Sequence, residues 1–203
     1  MTRAGARLAI ADPPYPPRLA ERRDLAAGGA RIVTRSRARR WYGDQIKGGH
    51  KPADFHPAAA EWDDPARHRA LLEQLADEYD GWAIATTPDG LSAYGTLPLG
   101  CELLAWVKPN AMPGGSRIRG SWEPVIVFIP YERRPGRGIV PAHLVASKFN
   151  HGFAGAKPPE WTRWVLDAMG YDPDTDTVED LFPGSGSVSS VLDQPSLLSG
   201  VQL

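Results

Sequence analysis

With one cysteine, Cys101, the chain can form no internal disulfide, and a cysteine-based zinc site is excluded. No apolar run approaches the length that spans a bilayer, so no membrane partner is expected. The N-terminus lacks the basic-then-apolar form of a signal peptide, and a reducing cytoplasm is the expected compartment. Charge of one sign is also missing overall. The formal net charge is −1 and 42% of residues are apolar, the balance of an ordinary soluble globule. His50, His56, His68, His143 and His151 include no helix-spaced pair and no acidic partner pattern. They read as surface or loop residues, and no metal is expected.

What is plentiful is punctuation. Pro 20 and Gly 21 in 203 residues predict many loops and short elements. That length holds one α/β domain with a sizeable core, and not two. Arg7 to Ala11 reads as a buried strand, stopped by Asp12-Pro13-Pro14, because two prolines cannot continue a ladder. Residues 16–60 read as loop-rich. Asp63-Asp64-Pro65 is a helix start. Leu72, Leu75, Ala76 and Tyr79 recur at helical spacing, which predicts an amphipathic helix over 65–79. Trp82–Thr86, Glu102–Val107, Pro124–Ile129 and Thr177–Phe182 read as strands. Pro159–Met169 reads as a helix stopped by Gly170, and a short helix starts at Val188. Strands alternating with helices argue an α/β fold with a mainly parallel sheet. The domain is expected over 1–192, with 193–203 a Ser-rich flexible tail.

Two motifs carry chemistry. Asp12-Pro13-Pro14-Tyr15 follows a strand end, where ligands gather in open α/β sheets. The exocyclic amine of a nucleic-acid base is a poor nucleophile, because its lone pair is delocalised into the ring. A carboxylate and a proline-held carbonyl that accept both N–H hydrogens draw that nitrogen toward tetrahedral geometry. Tyr15 offers a face on which a flipped base can stack. The same four residues are also good turn chemistry. The second motif is Asp180-Leu181-Phe182-Pro183-Gly184-Ser185-Gly186-Ser187, a glycine loop between a strand and a helix. It lacks the Gly-Lys-Ser/Thr of a phosphate loop, and Ser189 stands where a dinucleotide fingerprint has its third glycine. A loop for the amino-acid and sulfonium end of S-adenosylmethionine remains, beside the plain reading of a glycine turn. This loop lies close to the last residues, so its neighbouring strands come from upstream. That makes a circularly permuted order, with the strands ending at Asp12 and Phe182 side by side.

The chain resembles the permuted amino-group DNA methyltransferases, in particular short stand-alone forms of the kind phages encode. Asp12 to Tyr15 match their catalytic motif, and Phe182 to Gly186 their cofactor motif. His151 to Pro158 is similar to the His-x-x-x-Lys-Pro segment that lines the methionine end in that family, through Lys157 and Pro158. Trp106-Val107-Lys108-Pro109 and Trp122-Glu123-Pro124 also look like the middle of such proteins. The resemblance covers roughly residues 7–192. It implies a Rossmann-like fold, S-adenosylmethionine as cofactor, and double-stranded DNA with a flipped base as partner, in a bacterial cell or phage-infected host. It implies transfer to N6 of adenine. Cytosine N4 is the alternative by the same chemistry, and Asp at position 12 leans to adenine. A binding protein that has lost catalysis is a further alternative, and a protein or RNA amine a more distant one. The base-carbon route needs a cysteine nucleophile, and Cys101 sits in no suitable motif. The family continues past its cofactor loop to a strand whose acidic end binds the ribose. That strand is not seen after Gly186, so an upstream residue holds the ribose, or binding is weak, or the enzyme is degenerate.

Residues 31–51 hold Arg31, Arg35, Arg37, Arg39, Arg40, Lys47 and Lys51 against Asp44 alone, a local charge of +6 that leaves −7 for the rest. Beside Trp41 and Tyr42 this cluster suits phosphate contacts and base stacking; a solvated loop is the plainer reading. Arg133, Arg134 and Arg137 read as a second patch, and 110–150 as the room for a small recognition module. Most of the seven tryptophans read as core, with Trp41 the exception.

Overall fold

The structure is a computed structural model that describes residues 5–24, 29–42, 57–111, 118, 120–134, 138–148 and 155–193. Eight strands are described: β1 Arg7–Ala11, β2 Arg18–Asp24, β3 Gly29–Arg35, β4 Gly81–Ala85, β5 Cys101–Val107, β6 Trp122–Phe128, β7 His143–Val145 and β8 Thr177–Asp180. Four α-helices accompany them: α1 Ala38–Tyr42, α2 Pro65–Glu78, α3 Pro159–Met169 and α4 Ser187–Leu192.

Six strands form one sheet in the order β7-β5-β6-β4-β1-β8. β1 runs parallel to both β4 and β8, and β5 parallel to β7; β6 alone is antiparallel to its neighbours β4 and β5. This is the α/β, mainly parallel sheet that the strand–helix alternation implies. Strand alternation divides the core. Leu8, Ile10, Ala83, Ala85, Val125 and Val127 face α3 and α4. Ala9, Ala11, Trp82, Ile84 and Ile126 face α2 through Leu71, Leu72 and Leu75. β4 is buried at every residue, as a strand covered on both faces must be. Ala76, expected on the apolar face of α2, is exposed; His68 and Leu71 occupy that face instead.

The helix ends follow their capping chemistry. The Asp64 side chain accepts from the Ala66 amide, with Pro65 in the first turn. α3 ends where Gly170 turns left-handed at φ 68°, and the Tyr171 amide returns to the Leu166 carbonyl at 3.0 Å. β8 stops at Asp180, two residues short of expectation, because Leu181 and Phe182 turn into the glycine loop.

Several expectations are corrected. Residues 16–60 are not merely loop: β2 and β3 form a separate antiparallel hairpin, followed by α1. Its strands are rich in arginine and short of apolar alternation, so their pairing left little pattern to read. β7, with only three residues, is too short to show a strand pattern in the sequence. Residues 110–150, the room allotted to a small recognition module, include β6, an interior strand of the sheet. His68 is fully buried, not a surface residue. Its Nε2 lies 2.9 Å from the Trp62 carbonyl and its Nδ1 3.3 Å from the Tyr94 hydroxyl, and burial lowers its pKa. His143 is exposed; His50, His56 and His151 lie outside the described residues, as do Lys51 and 194–203. Among the described residues, no helix is long and apolar enough to cross a membrane, and no group of three or more His, Cys, Asp or Glu is placed to hold a metal.

Arg133 and Arg134 are not a surface patch, and Arg137 lies outside the described residues. Arg134 donates to the Gly100 carbonyl at 2.6 Å and lies over Phe128 and Tyr131. Arg133 makes a bidentate pair with Asp176 and donates to the Gly170 carbonyl at 2.7 Å. Asp176 also accepts from the amides of Ala6 and Asp172, each at 2.8 Å. One carboxylate thus ties the approaches to β1 and β8 to the end of α3. Burial alone would raise Asp176, but Arg133 and the two amides outweigh it and hold its carboxyl below the usual range. Arg133→Ala is expected to cost about 3 kcal/mol, because it strands a buried carboxylate. The lowered carboxyl contributes stability above the unfolded aspartate value, and loses it as pH falls through the lower folded value. Urea melts at neutral pH and near pH 3 check both; equal losses at the two pH values would contradict the assignment.

Candidate active site

β1 and β8 are parallel neighbours, with Ile10 paired to Asp180. The Leu181 amide extends that ladder to the Ile10 carbonyl at 3.0 Å. Both motif loops therefore leave the same edge of the sheet, at the C-terminal ends of adjacent strands. The chain leaves β1 for β4 on one side, and β8 lies on the other. That is a topological switch point, where an open α/β sheet has its crevice.

Asp12 sits one residue past β1 and is the centre of a buried charge network. Lys157, from the segment that leads into α3, donates to Asp12 Oδ2 at 2.6 Å and to the Tyr15 hydroxyl at 2.9 Å. The Tyr15 hydroxyl in turn donates to Glu123 Oε2 at 2.9 Å. Lys108 donates to Glu123 Oε1 at 2.5 Å. Lys157 also stands 3.7 Å from Glu123 and faces the rings of Tyr15, Trp106 and Trp161. Two ammonium groups thus face two carboxylates. The Lys157 side chain is 3% exposed and that of Asp12 27%.

The second oxygen, Asp12 Oδ1, is buried with no partner among the described residues. A buried acceptor left open costs free energy, which makes it a place to look for a ligand donor. Burial pushes the Asp12 carboxyl up, and Lys157 only partly offsets it. Burial would lower Lys157, but Asp12 and Glu123 more than restore it, so its ammonium is held above the ordinary lysine value. Glu123, which burial would raise, is held below its ordinary value by Lys157 and Lys108. The Tyr15 phenol is pushed well up by burial and by the two carboxylates, so it stays protonated.

In the second loop, Asp180 Oδ1 accepts from the Phe182 amide at 3.1 Å, and Gly186 turns back to the Pro183 carbonyl at 2.6 Å. Burial raises the Asp180 carboxyl, and the charge of Asp12 adds to that, so the two loops share one field. Gly184 and Gly186 have φ of 29° and 70°. A Cβ built on Gly186 would meet nothing within 4 Å, so the loop opens onto free space. A cleft of about 320 Å³, lined by Trp62, Arg67, Leu71, Leu181 and Phe182, adjoins it.

The structure brings Asp12, Pro13, Pro14, Tyr15, Lys157 and Pro158 together, with Asp180 to Gly186 alongside. Glu123 and Lys108 were read only as part of the resemblance, without a role. They stand in segments joined by the β5–β6 pairing, where Trp106 faces Glu123. An acidic residue at the head of an apolar strand was the available signal. Among the described residues of the basic cluster, the side chains take different surroundings. Arg37 donates to the Pro16 carbonyl at 2.9 Å, to Thr87 Oγ1 at 3.1 Å and to Asp89 at 2.7 Å, which makes it a structural clamp. Arg35 and Arg40 are exposed, Arg40 lies over Trp41, and the Arg39 amide caps on Ser36 Oγ. Trp41 is 43% exposed, while Trp82, Trp106, Trp161 and Trp164 are core. Arg31 is placed by its backbone in β3, and Lys47 lies outside the described residues. No known protein-family model matches the chain, and no curated protein matches it.

Lys157→Met tests the network apart from any reaction. It leaves Asp12 buried without its cation and raises that carboxyl further. A raised carboxyl makes the folded state bind the proton more tightly, so stability falls as pH rises from the unfolded value toward the folded one. The variant is expected to lose about 3 kcal/mol at pH 8. The loss should shrink toward pH 5. Urea melts at the two pH values check this, and a pH-independent loss would contradict the pairing.

Proposed function

We propose that the protein is an S-adenosylmethionine-dependent methyltransferase acting on an exocyclic base amine, N6 of adenine in DNA. The observation that carries this reading is Asp12: one oxygen pinned by Lys157, the other buried and open, beside a glycine loop on the adjacent strand.

The residues fit the cofactor. Gly186, at φ 70° with open space where a Cβ would stand, leaves room for a ligand to approach the loop backbone. Asp180 offers a carboxylate to a cationic amino-acid end, and the Trp62–Phe182 cleft has room for a nucleoside-sized group. Lys157 and Pro158 would wall the methionine end. When bound, S-adenosylmethionine would supply an electrophilic methyl carbon, its sulfur keeping the electron pair of the broken S–C bond as a neutral thioether.

The chain's own residues do the rest. Lys157 fixes the plane of the Asp12 carboxylate. Asp12 Oδ1 and the Pro13 carbonyl accept the two N–H hydrogens of the amine and draw its lone pair out of the ring. Tyr15, with its hydroxyl held by Lys157 and Glu123, presents a fixed ring on which the flipped base stacks. As the nitrogen takes the methyl group it sheds a proton, and Asp12 Oδ1 receives it. The raised carboxyl makes Asp12 a better acceptor than an exposed aspartate. A charge network buried around an open acceptor favours an active centre over a binding protein that has lost catalysis.

Asp12→Ala is expected to remove methyl transfer and leave cofactor affinity nearly intact. Asp12 touches only the acceptor, so its loss appears in rate. The loss should be about 3 kcal/mol or more, on the order of a hundredfold in rate. Asp12→Asn should do the same, because its amide can turn a donor toward the amine. In the wild type, transfer should rise with pH along a limb above the ordinary carboxylate range, since Asp12 must be ionised. Single-turnover rates, cofactor titration and a thermal melt on each variant decide the matter. A folded Asp12→Ala protein that methylates adenine at near wild-type rate would sink the mechanism.

A further inference from the structure

The hairpin of β2 and β3 has a feature that the reaction does not explain. Its register sets Arg18 opposite Arg35 and Arg22 opposite Arg31. Strand residues alternate between faces, so these four arginines belong to one face, with Ala20 and Val33 between them. Like charges directly opposite each other destabilise a strand pair. A two-stranded ribbon is marginal to begin with, and this one is separate from the main sheet. Two opposed arginine pairs, with Asp24 opposite Gly29 as the acidic residue in register with them, make a basic face suited to a polyanion.

We propose that the β2–β3 hairpin is a ribbon that docks into the major groove of duplex DNA and holds it by its phosphates. A two-stranded β-ribbon fits that groove, and the two arginine pairs lie about 13 Å apart along it. The root of the ribbon is fixed at the rim of the crevice. β2 begins three residues after Tyr15. Beyond β3, Arg37 bonds back to Pro16 and to Thr87 and Asp89 past the end of β4. Arg37 is thus a clamp on the ribbon and not one of its phosphate contacts. The inference deepens the reading of Asp12 as a base-modifying centre and rests on it only for the choice of DNA over another duplex polyanion.

The test is binding, not turnover. The probe is a fluorescent 20-bp DNA duplex, titrated by anisotropy across a range of salt, with the full chain. The wild type should bind the duplex more tightly than a single strand or anionic vesicles. R18Q/R22Q/R31Q/R35Q should flatten the slope of log affinity against log salt by about 3 to 4 units. Its thermal melt should not fall, because like-charge pairs have been removed. The four-lysine version keeps the charges and should keep the slope. A slope change below about one unit overturns the proposal, as does equal binding to single strands or vesicles. A quadruple variant that unfolds overturns it only if the lysine version also loses the slope. Methylated product with an unchanged slope fails the ribbon and leaves the chemistry standing. A flattened slope in the quadruple variant, with a wild type that methylates nothing, does the reverse.

Discussion

The ammonium of Lys157 is the point on which the site depends. It is buried beside three aromatic rings, where an unpaired cation would cost several kcal/mol. It is tolerated because Asp12, Tyr15 and Glu123 converge on it. Each partner comes from a different part of the chain: the exit of β1, the loop after it, and the head of β6. The sheet order has to be what it is for these groups to meet. β6 lies between β5 and β4, which puts Glu123 within reach of Lys108 on one side and of the β1 edge on the other.

Two aspartates at opposite ends of β1 and β8 meet different surroundings. At the end where β1 and β8 begin, Asp176 is saturated by Arg133 and backbone amides, and nothing is left open. At the end where they finish, Asp12 has one oxygen satisfied and one not. The same residue type thus serves as a rivet in one place and as a waiting acceptor in the other. The difference lies in how many donors each environment supplies. Gly186 extends the contrast, since a Cβ there would meet no atom within 4 Å.

Local rules made part of this legible in the residues. β1 and α3 fall at their expected bounds because prolines and Gly170 end them sharply. The two loops share one edge because β1 and β8 are parallel neighbours, and each motif directly follows its strand. What stayed hidden depends on pairing across long separations. Arg133 reads as a surface arginine until Asp176 is brought to it. His68 reads as a loop histidine until Trp62 and Tyr94 close over it. In the sequence Lys157 shows only as a wall for the cofactor, and the packing of α3 across β4 and β6 is what brings its ammonium to Asp12. The hairpin escaped for the opposite reason: with so many arginines it has little apolar alternation, and its order shows only in the register.

The central claim is that the open oxygen of Asp12 receives a base amine. Incubation of the wild-type protein with methyl-labelled S-adenosylmethionine and mixed-sequence duplex DNA, followed by nucleoside analysis by mass, tests it most directly. The expected result is label in N6-methyladenine. Label in N4-methylcytosine would keep the chemistry and change the base. Label in 5-methylcytosine, or in no nucleoside at all, would contradict the account.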